Sequence, residues 1–194
     1  MLSLFPTEYV YPSGFSYQPD FLTHNEETRY IEAIKKIELH KLIFQGFEAK
    51  RKTASFGQDY NFDKRTISKG KPFPGELNPL IEKVADHLSM NRAAFGELLV
   101  TEYPVGSVIN WHRDAPAFDM IVGISLNADC IFRLRPYDKA KRSRSSVISF
   151  PVLRRSIYIM KEESRTDWEH SIAPVKNLRY SITLRTLKQK TEAL

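Results

Sequence analysis

From Phe21 to Leu42 apolar residues recur at helical spacing, with Tyr30, Ile31, Ala33, Ile34 and Ile37 set among charged positions. Thr23 or Asn25 stands ready as an N-cap. The span Asn78–Met90 repeats the pattern: Leu80, Ile81, Val84 and Leu88 share one stripe, and Pro79 suits the first helical turn. Two amphipathic helices are predicted. From Glu97 onward the period shortens to two, which predicts strands near Leu98–Tyr103, Ile121–Leu126, Ile131–Arg135, Val147–Val152, Ser156–Met160 and Tyr180–Thr186. Many short strands with polar connections predict an α+β, mainly β fold, an antiparallel sandwich or jelly roll with the helices buttressing one sheet. Between the helices, Ala49–Gly75 has no clear periodicity and reads as a long ordered loop or hairpin, a length of connection that often carries function.

Composition narrows this little. A chain of 194 residues can bury one core and is short for two, so residues 1–194 are expected to form a single domain. No apolar run approaches the ~20 residues of a membrane span, and Met1–Tyr17 lacks the basic and apolar regions of a secretory leader. The lone cysteine, Cys130, forbids an internal disulfide and favours a reducing, cytoplasmic setting. Beside Ile131 and Phe132 it reads as a packed thiol. A net charge of +6 is compatible with a polyanionic partner but common among unrelated proteins.

The chemistry is concentrated in a few residues. In His112-Arg113-Asp114, positions i and i+2 of a strand would present an imidazole and a carboxylate to one ion. With His170 these complete a 2-His-1-carboxylate set, which caps one face of a ferrous ion and leaves other positions open. A salt-bridged surface turn and an isolated imidazole are the plain alternatives. The segment Arg179–Arg185 alternates Arg179, Ser181, Thr183 and Arg185 with Tyr180, Ile182 and Leu184. Its polar face either meets water at an edge or lines an interior holding an anionic small molecule, for which arginine is a planar, forked partner.

These pieces together resemble the AlkB-type Fe(II)/2-oxoglutarate dioxygenases: Tyr103-Pro104-Val105-Gly106 leading into Trp111-His112-Arg113-Asp114, then Val122–Leu126, Trp168-Glu169-His170-Ser171-Ile172, and Arg179 with Arg185. The resemblance covers the C-terminal half and, more loosely, Gly46–Gly75. It implies a double-stranded β-helix over residues 96–194, supported by 1–95, with a substrate-covering loop at about 49–75. It also implies Fe(II), 2-oxoglutarate as co-substrate, and dioxygen. His112, Asp114 and His170 would bind iron. Arg179 would hold the distal carboxylate of 2-oxoglutarate with Tyr103 beside it, and Arg185 would lie nearer the reacting end. Thr101 and Ser181 stand where asparagines are expected and keep hydrogen-bonding capacity.

The implied activity is oxidative dealkylation of alkylated nucleobases in DNA or RNA, with no membrane and no obligate protein partner. Arg51, Phe56, Tyr60 and Arg113 are the expected substrate contacts. The covering region interleaves Lys50, Arg51, Lys52, Lys64, Arg65, Lys69 and Lys71 with Phe56, Tyr60, Phe62 and Phe73, suited to phosphates and a stacked base. Composition equally allows aromatics that anchor the loop to the core. One position departs from the DNA-repairing pattern: an acid expected two residues after Asp114 is Pro116, and Asp119 or Glu102 are the nearby substitutes. Alternatives are the same chemistry on a protein or small molecule, and an idle nucleic-acid-binding module on the same fold. A zinc hydrolase would leave Arg179 and Arg185 unexplained.

Overall fold

The computed structural model describes residues 9–44, 47–61 and 66–188. In chain order its elements are β1 (Phe15–Gln18), α1 (His24–Lys35), β2 (His40–Phe44), β3 (Phe47–Asn61), β4 (Thr66–Lys69), α2 (Asn78–His87), β5 (Phe95–Tyr103), β6 (Ile109–His112), β7 (Phe118–Leu126), β8 (Cys130–Pro136), β9 (Ile148–Val152), β10 (Ile157–Met160), α3 (Glu162–Thr166), β11 (Trp168–Ile172) and β12 (Arg179–Leu187). They form a major sheet in the order β1-β10-β7-β12-β5-β3-β2, with β4 paired to β3, and a minor sheet in the order β6-β11-β8-β9. Every ladder between them is antiparallel. This is the jelly roll expected from the short alternating strands, with α1 and α2 against one face of the major sheet.

The alternation of β12 sorts its side chains between two cores. Tyr180, Ile182 and Leu184 join Leu98, Val100, Val122 and Ile124 and meet Tyr30, Ile34, Leu80, Ile81 and Val84 of the helices. Between the sheets, Phe132, Leu134, Phe150, Ile172 and Tyr158 form a second cluster, which includes the buried Cys130. The polar positions Arg179, Ser181 and Thr183 point into that inter-sheet space and are buried too. A polar face that reads as an edge exposed to water is therefore an interior wall.

Several expected boundaries move for physical reasons. Helix α1 starts after Thr23, whose hydroxyl accepts from the Glu26 amide while the Glu26 carboxylate accepts from the Thr23 amide. It ends at Lys35, short of Leu42, and Ile37 and Leu39 pack on the helix-side core from the connection. His40–Phe44 is a strand paired with β3. The Ala49–Gly75 region is mostly hairpin: β3 pairs with β5 through Lys52–Gly57 and with β4 through Gln58–Asn61. Helix α2 stops at His87, and Ser89 adopts positive φ just beyond it. Strands β1, β6 and β11 had no counterpart in the pattern of apolar positions, and two of these border the site below.

One buried acid joins the layers. Glu27 of α1, 1% exposed, accepts from the Asn127 amide and from Nε and an NH group of Arg154. Helix α1 is thereby tied to the two loops at one end of the major sheet.

Candidate active site

His112 ends β6, Asp114 lies two residues beyond that strand, and His170 sits mid-strand on β11, directly across from His112. The two ligands of the His-x-Asp triplet are thus not both on a strand, contrary to the i, i+2 reading. The turn after β6 brings the carboxylate in instead. One ligand atom from each of the three residues lies within 4.8 Å of the others. The His170 Nε2 to Asp114 Oδ2 distance is 3.5 Å and the two imidazole centroids are 4.2 Å apart. His112 Nδ1 donates to the Asn110 carbonyl at 2.8 Å, which leaves Nε2 as the nitrogen available to a metal.

The protonation of this cluster suits a cation. Burial, reinforced by the nearby His112, pulls His170 down to about 3, so its imidazole is neutral near pH 7. Burial pushes the Asp114 carboxyl up, but Arg185, His170, His112 and Arg165 together outweigh that and hold it well below the usual carboxylate range. The His112 imidazole, a neutral His170 imidazole and an ionised Asp114 carboxylate, clustered and largely out of solvent, are a donor set that fits Fe(II).

Behind the cluster, Arg179 is 1% exposed. Its Nε donates to Ser125 Oγ at 3.0 Å, and its guanidinium lies over the Tyr103 ring at 4.8 Å. One terminal nitrogen is buried with no hydrogen-bond partner, and no carboxylate pairs with it among the described residues. A guanidinium held this way is costly unless an anion completes it. The β5–β12 ladder puts Arg179 across from Tyr103 and Ser181 across from Thr101, and Ser181 Oγ is 3.4 Å from the Tyr103 hydroxyl. Arg179, Tyr103, Thr101 and Ser181 are therefore brought to one wall.

Arg185 is two-handed. One terminal NH donates to Asp114 Oδ1 at 2.6 Å and the other to Glu97 Oε2 at 2.6 Å. Arg165 of α3 holds the same turn by its backbone, donating to the carbonyls of Asp114, Ala115 and Phe118. Three residues of this interior were not anticipated from sequence: Ser125, Glu97 and Arg165. Ser125 and Glu97 belong to the alternation of β7 and β5 and could have been found by writing out each strand's inward positions. Arg165 carries no such signal.

The sequence matches the family model of the 2OG-Fe(II) oxygenase superfamily over residues 14–186. The chain belongs to the AlkB-type 2OG-Fe(II) oxygenases. Relatives include the mouse tRNA (carboxymethyluridine(34)-5-O)-methyltransferase ALKBH8, 26% identical over 85% of this chain and 25% of that protein. The human DNA oxidative demethylase ALKBH2 is 30% identical over 71% of this chain and 58% of that protein. The chain thus spans about a quarter of the length of its ALKBH8 relative. Among solved structures, OsALKBH1 superposes with TM-score 0.70 at 14% identity, covering 93% of this chain and all of the other. A prolyl hydroxylase from Trichoplax adhaerens gives 0.63 at 16% identity, covering 90% and 83%. As a dioxygenase of this family it uses Fe(II), 2-oxoglutarate and dioxygen.

The expected substrate contacts of the oxygenase are not brought together in the same way. Phe56 is 8% exposed and packs in the helix-side core, so it anchors β3 and is not free to stack on a base. Arg113 turns away from the cluster: its guanidinium stacks 3.5 Å above the Tyr137 ring and donates to the Thr166 carbonyl. Arg51 is half-buried on β3. The Tyr60 backbone pairs with Ile67 across the hairpin, while its side chain, with Phe62, Lys64 and Arg65, lies outside the described residues. In the basic run Lys139, Lys141, Arg142 and Arg144, which reads from sequence as a solvated loop, Arg142 is committed to Glu169 and to the Pro136 and Tyr137 carbonyls. Trp111 is half-buried against Arg133 and Arg135 on the minor sheet, and Trp168 packs on the inter-sheet core.

A groove of ≈ 1430 Å³ opens where β5 and β12 meet the β3–β4 hairpin. It is not lined by the His-Asp-His cluster, but its walls include Gly96 and Thr186, each one residue from Glu97 and Arg185. Among the described residues Lys69, Lys71, Lys161 and Lys188 line it, against two acids, Asp119 and Glu162. No helix of the described residues is long and apolar enough to cross a membrane.

Proposed function

We propose that this oxygenase removes alkyl groups oxidatively from nucleobases of DNA or RNA. The carrying observation is the lysine-lined groove where β5 and β12 meet the β3–β4 hairpin, in which four lysines stand with two carboxylates among the described residues. Such an excess recruits a phosphate backbone by releasing its counterions. The relationship to a DNA oxidative demethylase supports the same reading. A base presented to so enclosed a cluster must leave its stack, which single strands allow most cheaply.

In this reading His112, Asp114 and His170 hold Fe(II), and Arg179 grips the distal carboxylate of 2-oxoglutarate with the nitrogen that has no partner among the described residues. Bound iron, with 2-oxoglutarate and dioxygen, supplies the oxidation that converts an alkyl group to a hydroxyalkyl released as an aldehyde, with succinate and carbon dioxide as co-products. The chain's own work is positional. His112 is held in one tautomer by Asn110, Asp114 is oriented by Arg185, and Tyr103 and Ser181 flank the co-substrate's far end.

The test is succinate formation from 2-oxoglutarate with Fe(II) and air, with and without methylated single-stranded oligonucleotides, and with His112→Ala as the blank. Stimulation by methylated but not unmodified strands is expected. Turnover that a panel of alkylated DNA and RNA strands leaves unstimulated would sink the proposal. That result would favour the same oxidation on a protein or small molecule, a reading motivated by the exposed Pro116 standing where a base-reading acid is expected.

A further inference from the structure

The acid near the metal cluster is neither of the two that sequence offered. Asp119 is exposed on the groove wall, and Glu102 pairs with Lys52 at 3.0 Å. The buried carboxylate is Glu97, 5% exposed and directly opposite Arg185 in the β5–β12 ladder. Ser55 Oγ of β3 donates to Glu97 Oε1 at 3.0 Å, Arg185 donates to Glu97 Oε2, and its other NH donates to Asp114 Oδ1. A continuous chain of hydrogen bonds thus runs from β3, which continues into the β3–β4 hairpin, to a residue of the metal cluster.

Asp114 needs such a hold. It lies past the end of β6, outside any ladder, and Arg165 fixes only its main-chain carbonyl. The orientation of its carboxylate rests on the Arg185 fork, and one arm of that fork is held by Glu97. Without Glu97 the guanidinium charge would fall on Asp114 alone. It would then compete with a dication for Oδ1, and its free arm would be a buried donor with no partner. Both effects weaken metal binding.

We propose that Glu97 is a positioning residue for the metal centre, holding Arg185 and through it the Asp114 carboxylate, with Ser55 as the outer member. The inference rests on the assignment of His112, Asp114 and His170 as iron ligands.

Its test titrates Co(II) into the metal-free full chain and follows the visible ligand-field absorption for wild type, Glu97→Gln, Glu97→Ala and His112→Ala, with thermal melts as the check of folding. Partners of metal ligands are commonly worth about 10–100-fold in affinity. A loss in that range is expected for Glu97→Ala, and about tenfold for Glu97→Gln, which keeps the shape and removes the charge. Both should shift the absorption band, because the carboxylate is presented differently. A purely structural role would lower the melting temperature and leave affinity and band alone. A folded Glu97→Gln protein with wild-type Co(II) affinity and spectrum overturns the proposal. Wild-type affinity in His112→Ala would instead overturn the ligand assignment beneath it.

Discussion

Arg179→Met should make the protein a poorer enzyme and no less stable. Arg179 is fully buried; its Nε donates to Ser125, and one terminal nitrogen has no hydrogen-bond partner among the described residues. Removing a buried charge that no carboxylate compensates among the described residues relieves a desolvation penalty on the order of several kcal/mol. Against this stands the lost bond to Ser125, worth about 1 kcal/mol. The net expectation for the co-substrate-free protein is a melting temperature unchanged or raised by a few degrees, at about 2–4 °C per kcal/mol for a chain of this size. Co-substrate binding moves the other way. Two charge-assisted hydrogen bonds at about 1.5–3 kcal/mol each amount to at least about 3 kcal/mol, or roughly 100-fold in affinity. The assay is thermal unfolding with Mn(II) in place of iron, which prevents turnover, with and without 2-oxoglutarate. At a hundred times its dissociation constant the ligand stabilises wild type by about 2.7 kcal/mol, a rise of roughly 5–10 °C. Arg179→Met should show almost none of that rise. A variant that melts several degrees below wild type on its own and still gains the full ligand shift would refute the assignment and make Arg179 a structural residue.

Gly123→Ala should destabilise by at least about 1–3 kcal/mol, because its Cβ would sit 2.1 Å from the Tyr158 ring across the β7–β10 ladder; a melt within a degree of wild type would count against that packing. Replacing Lys69 and Lys71 together by Ala should raise the Michaelis constant for a methylated oligonucleotide and lower the salt slope of its binding by about two. An unchanged slope would remove the groove from the substrate path. The metal-free protein should lose stability as pH falls from about 6.5 toward 3. Burial depresses His170 in the folded state, so over that window the unfolded chain binds the extra proton. Melts at pH 7 and pH 5 with His170→Gln as comparison test this, and an equal slope in the variant would be the contrary result.

The residues that sequence made legible are those whose signal is local. The stripes Tyr30–Ile37 and Leu80–Leu88 and the alternation of Arg179–Arg185 are one-dimensional patterns, and each corresponds to an element with the expected inward face. Illegible were features set by a neighbour. Strand β6 is four residues, none of them buried, and β11 alternates Glu169 and Ser171 with His170 and Ile172, so neither has an apolar period. Strand β3 offers the helix-side core only Ala54 and Phe56 from its pairing segment, too few to declare a strand. Phe56, which its basic neighbours make look like a base-stacking residue, is a core anchor. An aromatic in a basic segment carries no mark of which face it will occupy until the partner strand is known. Glu97 carries no local signal because an acid before an apolar run reads as an ordinary strand boundary, and only the register opposite Arg185 gives it a role.

In the proposed assignment, that register also explains why one strand can serve two ligands of opposite charge. On the inner face of β12, Arg185 meets two carboxylates, Asp114 and Glu97, while Arg179 meets none among the described residues. The cation at 185 is therefore more than neutralised, and its surroundings favour a positive ligand. The cation at 179 is uncompensated and favours a negative one. Both side chains are arginine, and local sequence cannot distinguish them. The difference lies in β5, which presents Glu97 opposite the first and Tyr103 opposite the second. Exchanging that partner is the smallest change that would reverse the preference. A Tyr103→Glu substitution would supply Arg179 with a carboxylate of its own, satisfy the orphan nitrogen, and displace an anionic co-substrate without touching any ligand of the metal cluster.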